Sequence, residues 1–372
     1  MNPRSVFHWT ILFVLIVDLV SCTTPTVSVT TPTPVSTAVP YESPTIVNDD
    51  AITYYNSGNG HAAKGDYDQA IADFDKALQL RPDFTQAYNN RGLAYKSKGD
   101  YDRAITDFDE AIQLQPNYAR AYNNRGNAYA DKGDYDRAIA DHNKAIQLKP
   151  DYVDAFNDRG LAYIDKGDYD QAIADFDTAI QLQPNYAYAY YNRANAYRRK
   201  GNNDRAIADY GKALQLQPDD VEAYNNRGNI YVDKGNYDQA IADFDKAIQL
   251  QPDLATLYNN RGIAYEGKGD NDQAIADFDK AVQLQPGYVG AYNNLGNIYD
   301  EKGDYDQAIA DFSRAIQLQP GDAQVYYNRG LAYKHNGSKE QAIADYKKCL
   351  GLTRDQGLRT EAEKELQILG GQ

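Results

Sequence analysis

The chain has 372 residues, a formal net charge of −15 and 33 tyrosines, whereas its one Met and one Trp both lie near the N-terminus, at positions 1 and 9. The charge argues against nucleic acid as a partner, because phosphate binding needs a cationic surface, and it favours a soluble, monomeric body. Two cysteines, Cys22 and Cys349, are too few for a disulfide framework.

The first 22 residues have the layout of an export signal. Arg4 precedes an apolar stretch from Ile11 to Val17, which is shorter than the about 20 residues of a membrane-spanning helix. The sequence Leu19-Val20-Ser21-Cys22 that follows resembles the lipobox of bacterial lipoproteins. The resemblance implies that Cys22 receives a diacylglycerol and becomes the new N-terminus. The alternative is a conventional cleaved signal in which Cys22 is incidental. We expect an extracytoplasmic protein, lipid-anchored to a bacterial membrane or cell surface.

Residues 23–50 are predicted to form a disordered tether. The stretch 23–45 contains eight Thr and five Pro, and proline at this density blocks helix formation and removes backbone donors. A fully extended chain of this length would reach roughly 80 Å.

From Ala51 onward the chain repeats itself every 34 residues. The period is marked by prolines at Pro82, Pro116, Pro150, Pro184, Pro218, Pro252, Pro286 and Pro320. Counting from Ala51 gives nine units, the last of which ends near Gln356. A period in this range is typical of a stacked solenoid.

Residues 221–254 illustrate one unit as a helical hairpin. The first half places Tyr224, Gly228 and Tyr231 on one helical face. The second half places a further set on another face, namely Tyr237, Ala240, Ile241, Phe244, Ala247 and Ile248. Gly235 supplies the turn between the helices. Because a lone hairpin cannot bury its apolar face, neighbouring hairpins must stack.

The recurring motif, Tyr88-x-x-Arg91-Gly92-x-x-Tyr95 followed by Ala104-x-x-x-Phe108, Ala111 and Pro116, resembles the tetratricopeptide repeat, or TPR. The same frame recurs in all nine units and covers 306 of the 372 residues. The chain departs from the family pattern in having Tyr or Phe instead of the usual Trp, and Arg instead of Leu in seven units.

The resemblance implies an all-α fold, a right-handed superhelical solenoid of nine helix-turn-helix units over residues 51–356. Residues 357–372 are predicted to hold a capping helix and tail. One face of that helix carries Leu358, Ala362, Leu366 and Leu369.

The sequence contains no constellation typical of catalysis, metal binding or cofactor binding, so we predict neither an enzyme nor a cofactor. His61, His142 and His335 are scattered, and the first two occupy positions where other units carry Tyr and Phe. Recurrent Asp pairs such as Asp243 and Asp245 repeat with the hairpin. We attribute them to solvated faces and ion pairs rather than to calcium binding.

Seven arginines each share a hairpin with an Asp of the second helix. We predict partly buried ion pairs between these arginines and aspartates, within a repeat or between adjacent repeats, because a buried guanidinium needs a carboxylate. The predicted pairs are Arg91–Asp107, Arg125–Asp141, Arg159–Asp175, Arg193–Asp209, Arg227–Asp243, Arg261–Asp277 and Arg329–Asp345.

Asparagine recurs in the first helix of the units. In the TPR family the first helices line the concave side, so the resemblance implies a ladder of amides there, and amides suit an extended peptide backbone. The ladder comprises the pairs Asn89-Asn90, Asn123-Asn124, Asn225-Asn226, Asn259-Asn260 and Asn293-Asn294, with Asn127, Asn195, Asn229 and Asn297 one turn further on. The alternative is that several of these amides serve capping or inter-helix hydrogen bonds. The lysines with which the family clamps C-terminal carboxylates are absent.

The first helix of the fifth unit, residues 187–200, is the predicted hot spot for binding. Tyr188, Tyr191, Asn195, Arg198 and Arg199 share one helical face. Tyr and Arg are enriched at binding hot spots, and a basic patch in an acidic chain can select an acidic or carboxylate-bearing partner. The alternative is drift at solvated positions.

These features predict a non-enzymatic scaffold or adaptor that binds protein or extended peptide partners in the concave groove. We expect it to be monomeric without a client and to bind no nucleic acid. A self-associating structural spacer of the cell envelope is the alternative, and concentration-dependent sedimentation would distinguish the two.

Overall fold

The computed structural model describes residues 45–370. The predicted signal segment, including Cys22, and most of the predicted tether lie outside the described residues. Over residues 45–370 the chain forms nineteen α-helices and no β-strand, as the predicted all-α fold requires. It divides into two compact units, of which unit 1 ends at Lys166 and unit 2 begins at Gly167.

Unit 1 contains seven of the helices described over residues 45–370. They are α1 (Thr45–Ala63), α2 (Tyr67–Leu80), α3 (Thr85–Ser97), α4 (Tyr101–Leu114), α5 (Ala119–Asp131), α6 (Tyr135–Leu148) and α7 (Val153–Lys166). Because α1 begins at Thr45, residues 45–50, at the end of the predicted tether, are helical.

Unit 2 contains the other twelve helices of the described chain. They are α8 (Tyr169–Leu182), α9 (Ala187–Arg199), α10 (Asn203–Leu216), α11 (Val221–Asp233), α12 (Tyr237–Leu250), α13 (Ala255–Lys268), α14 (Asn271–Leu284), α15 (Val289–Glu301), α16 (Tyr305–Leu318), α17 (Ala323–His335), α18 (Lys339–Leu352) and α19 (Gln356–Ile368). Odd-numbered helices from α1 to α17 are the first helices of the nine repeats, and even-numbered helices are the second helices.

The turn inside each hairpin follows from a Gly-Asp or Gly-Asn pair. In the second repeat Gly99 has a φ of +78°, a left-handed conformation that glycine adopts without a steric penalty. Asp100 then caps α4, and its carboxylate accepts a hydrogen bond from the backbone N–H of Arg103 at 3.2 Å. The chain therefore reverses within a few residues, and the second helix packs on the first.

The two helices of a hairpin approach closely because small residues line their contact. A Cβ added to Gly92 in α3 would lie 2.7 Å from Cε1 of Phe108 in α4, closer than two carbon atoms can pack. Ala104 and Ala111 beside Phe108 are fully buried. Glycine and alanine at these positions therefore permit the close helix contact.

Helix α19 covers the end of the last hairpin, as predicted for a capping helix. Ala362 and Leu366 are buried, and they pack in clusters that contain Cys349 and Tyr346 of α18. Leu358 and Leu369 pack beside them. Cys349 is fully buried and is a small residue of the core.

Candidate functional site

The first helices form a continuous surface in each unit. In unit 1, α1, α3, α5 and α7 contact one another in succession, and in unit 2 the helices α11, α13, α15 and α17 do the same. We call the side formed by the first helices the first-helix surface. It is the place where the sequence predicts binding.

Asparagine amides connect the first helices of successive repeats. In each repeat the two residues after the aromatic position are most often an Asn pair, such as Asn89-Asn90. Nδ2 of the second Asn donates a hydrogen bond to Oδ1 of the first Asn one repeat earlier. These bonds are Asn124 to Asn89 (2.8 Å), Asn260 to Asn225 (2.9 Å), Asn294 to Asn259 (3.1 Å) and Asn328 to Asn293 (3.0 Å).

Two repeats with tyrosine at the first position keep the same link. Asn90 donates to the hydroxyl of Tyr55 at 3.0 Å, and Asn226 donates to the hydroxyl of Tyr191 at 3.1 Å. The ladder therefore joins repeats to one another, as the alternative interpretation of these amides holds.

The predicted binding residues fall into three groups by exposure. The buried ones are Asn89, Asn123 and Asn259. The partly buried ones are Asn127, Tyr191, Asn195, Asn225, Asn229, Asn293 and Asn297. The exposed ones are Tyr188, Arg198 and Arg199. Because the buried amides are already held by neighbouring repeats, only the second and third groups can reach a partner in this conformation.

The first helix of the fifth repeat, α9, carries the most exposed part of the predicted site. Tyr188 is 55% exposed, and its ring lies 5.8 Å from that of Tyr186 in an edge-on contact. Arg198 and Arg199 are both exposed at the C-terminal end of the helix. An aromatic ring and two guanidinium groups are therefore available on one helix.

The contacts of Tyr191 are mainly with the protein interior. Its ring meets Tyr210 of α10 edge-on at 5.7 Å, and burial raises the pKa of the Tyr191 hydroxyl to about 12. The hydroxyl of Tyr210 donates to Oδ1 of Asn195. Burial also raises the pKa of Tyr210, and the nearby Arg198 opposes that shift. The partly buried Tyr191 and Asn195 thus place polar groups near Arg198.

The predicted Arg–Asp pairs are present within each unit. Nε and Nη2 of Arg91 donate to the two oxygens of Asp107 at 2.9 and 2.6 Å, and burial raises the pKa of Asp107 against the effect of Arg91. The same bidentate contact is formed by Arg125, Arg193, Arg227, Arg261 and Arg329 with their predicted partners. Arg159 and Asp175 belong to different units, and their pairing stays a prediction.

Two sets of contacts were missed by the sequence reasoning. Four of these arginines also reach an Asp of the preceding repeat, in the pairs Arg91–Asp75, Arg125–Asp109, Arg193–Asp177 and Arg261–Asp245. At the hairpin turns, lysines reach an Asp 30 residues earlier, in the pairs Lys98–Asp68, Lys132–Asp102, Lys166–Asp136, Lys200–Asp170, Lys234–Asp204, Lys268–Asp238 and Lys302–Asp272. Constant sequence spacings of 16 and 30 residues are the signal that could have revealed them.

His142 lies in the core, as expected from its position in the repeat. It is fully buried in α6, where other repeats carry Phe or Tyr, and burial lowers its pKa to about 3. His61 is partly buried near Asp73, and His335 pairs with Asp300 at 2.9 Å.

Among the described residues no group of three or more His, Cys, Asp or Glu side chains could hold a metal ion. None of the helices described here is long and apolar enough to span a membrane.

Helical hairpins joined by amide and ion-pair ladders define an all-α repeat protein. The TPR family models match residues 58–269 and 296–337 in overlapping segments, and further tetratricopeptide models match residues 255–288, 278–310 and 323–356. The chain belongs to the tetratricopeptide-repeat family, whose fold is consistent with a protein–protein interaction scaffold.

One solved structure supports the same fold. The chain is similar to the APC/C hetero-tetramer Cut9–Hcn1, with 17% identity and a TM-score of 0.50 over 85% of this chain and 76% of that one. It is also similar to a tetratricopeptide repeat protein from Parabacteroides merdae, with 23% identity and a TM-score of 0.49 over 64% and 94%. YrrB, described as a TPR protein with an unusual peptide-binding site, has 25% identity and a TM-score of 0.44 over 50% and 95%. No curated protein matches the sequence.

Proposed function

We propose that the protein is a non-enzymatic adaptor that holds extended segments of partner proteins on its first-helix surface. The observation that carries the proposal is the exposed group on α9, formed by Tyr188, Arg198 and Arg199. Tyr and Arg dominate binding hot spots because they combine a large contact area with strong polar contacts. The partner segment best suited to α9 carries acidic side chains or a free carboxylate.

The partly buried amides contribute orientation rather than most of the affinity. Each amide hydrogen bond to a partner backbone adds about 1 kcal/mol, whereas ordering a flexible segment costs about 2–5 kcal/mol. Several amides such as Asn229 and Asn297 would therefore only offset the ordering cost. Net affinity has to come from anchors such as Tyr188 and the two arginines.

We further propose that the adaptor is a lipoprotein held at an extracytoplasmic membrane surface through Cys22. The support for this is the lipobox-like sequence Leu19-Val20-Ser21-Cys22 after a short apolar run. The Thr- and Pro-rich stretch after Cys22 would set the repeats apart from the membrane. A client segment could then bind without steric conflict with the lipid surface.

Photo-cross-linking from the first-helix surface tests the adaptor function. A benzoylphenylalanine placed at Tyr188 of the full chain is expected to capture one contiguous segment of a partner protein in native cells. The matched control is the same probe at Asp170, whose side chain is 78% exposed and belongs to a second helix. Identical cross-links from both positions, or none from Tyr188, would contradict the proposal.

A further inference from the structure

Two successive repeats, the third and the fourth, each contain one side chain in unit 1 that differs from the corresponding residue of the other repeats. Asp158 in α7 stands where the other eight repeats have Asn. His142 in α6 stands where the others have Phe or Tyr. An aspartate cannot donate the hydrogen bond that asparagine donates along the ladder. The amides around Asp158 must therefore be arranged differently.

The direction of the hydrogen bond between Asn123 and the next repeat is the reverse of that at Asn89. Oδ1 of Asn89 accepts a hydrogen bond from the next repeat, from Asn124. Nδ2 of Asn123 instead donates to the next repeat, to Oδ2 of Asp158 at 2.8 Å. Oδ1 of Asn123 then accepts from Nδ1 of His142 at 3.0 Å. A chain of hydrogen bonds thus runs from His142 through Asn123 to Asp158.

The carboxylate of Asp158 is held firmly by neutral donors. Asn127 also donates to its Oδ2 at 2.8 Å, and Asn157 lies 3.4 Å from its Oδ1. Burial raises the pKa of Asp158, and these amides offset only part of the shift. A negative charge here therefore costs stability at neutral pH, a cost that asparagine does not carry.

Within unit 1 the carboxylate of Asp158 is stabilised only weakly by cationic side chains, as the contributions to its pKa indicate. Lys96 lowers that pKa, but it contributes less than any of the three amides. Nζ of Lys96 is itself paired with Asp131 at 3.0 Å. Asp158 is only partly buried on the first-helix surface, and its Oδ1 retains capacity to accept a hydrogen bond. Burial raises the pKa of Tyr152 most, and the charges of Asp154 and then Asp158 add to that shift.

We infer that Asp158 is a subsite for a cationic side chain, a lysine ammonium or an arginine guanidinium, of the partner segment. The inference rests on the proposed adaptor function. Asn123 and Asn127 fix the carboxylate, and His142 positions Asn123 by holding its Oδ1. The cation would add to the weak counter-charge that Lys96 supplies within unit 1.

A small cationic probe tests the subsite directly. We expect Nα-acetyl-lysine methylamide to shift the side-chain amide resonances of Asn123 and Asn127 in the full chain, in a saturable manner. The variant Asp158→Asn carries the residue that the other repeats have, so it should fold normally. It should bind the probe roughly tenfold more weakly, because one charge-assisted hydrogen bond is lost.

Two controls make the outcome specific. Nε-acetylation of the probe removes its charge and should abolish the shifts. Asp102→Asn removes one exposed charge at a hairpin turn of the same unit and should leave binding unchanged. Absence of saturable shifts, or equal binding by the wild type and Asp158→Asn, would overturn the subsite. Cross-linking from Tyr188 in unit 2 does not depend on this probe, so the adaptor function can stand or fail separately.

Discussion

At the scale of single residues, the repeated Arg–Asp contacts involve two aspartates of the same helix that differ in exposure. Asp243 accepts two hydrogen bonds from Arg227 and has a side chain that is 7% exposed. Asp245, two residues later, pairs with Arg261 and is 51% exposed. Buried and exposed partners of a guanidinium should differ in their contribution to stability.

Asp243→Ala is expected to destabilise the protein by about 3 kcal/mol, because it leaves a partly buried Arg227 without its carboxylate. Asp245→Ala should cost about 1 kcal/mol or less, because an exposed pair contributes little and Arg261 keeps Asp277. Urea denaturation of both variants and the wild type measures the difference. Equal shifts would argue against the buried pairing.

His142 makes stability depend on pH. Its folded pKa of about 3 lies below the ordinary value of 6.5 because burial disfavours the charged ring, and its Nε2 has no hydrogen-bond partner in the described part of the chain. The unfolded state therefore binds a proton more readily than the folded state. The stabilising contribution is complete above pH 6.5 and is lost as the pH falls from 6.5 towards 3.

His142→Phe should remove this dependence. Between pH 6.5 and pH 5 the wild type should lose about 2 kcal/mol more stability than the variant, because one pKa unit corresponds to about 1.4 kcal/mol. The readout is the difference between the two pH values, since the variant also loses the contact between His142 and Asn123. Parallel pH profiles for the two proteins would disprove this role of His142.

At the scale of elements, the sequence predicted more of the fold than of the site. The hairpins could be predicted from the period of 34 residues, the Gly-Asp turns and the positions of Gly and Ala. Each of these features acts within one repeat. The ladder position of Asn89 could be predicted, but its burial could not, because burial depends on how successive repeats stack. The reversed hydrogen bonding of the Asn123 amide depends on His142 and Asp158 together. The periodicity of α5 alone predicts neither of these neighbours.

Helix α19 offers a direct test of capping. Ala362→Glu places a charge at a fully buried position against the last hairpin and should release α19. Cys349 is buried, and burial raises the pKa of its thiol, so it should react slowly with iodoacetamide in the wild type. In the variant the Cys349 peptide should become alkylated much faster, as measured by mass spectrometry. Gln367→Glu, at an exposed position of the same helix, should not change the rate.

At the scale of the whole molecule, membrane attachment is the proposal that depends most on the sequence alone. If Cys22 carries a lipid, Cys22→Ser should abolish acyl labelling and move the protein from the membrane fraction to the soluble fraction. More than one acyl chain gives firm anchoring, so the wild type should resist extraction by salt. Equal membrane retention of both forms would contradict lipidation at Cys22.

The central claim is that α9 anchors extended partner segments by aromatic and cationic contacts. Its most direct test is the affinity of peptides, selected from a random library on the full chain, for the double variant Arg198→Glu, Arg199→Glu. We expect at least about a tenfold loss of affinity and a weaker salt dependence, because two charge-assisted contacts become repulsive. The double variant Arg103→Glu, Arg137→Glu makes the same charge change on exposed second-helix positions and should bind like the wild type. Unchanged affinity and salt dependence in the α9 variant, with its fold intact, would contradict the account.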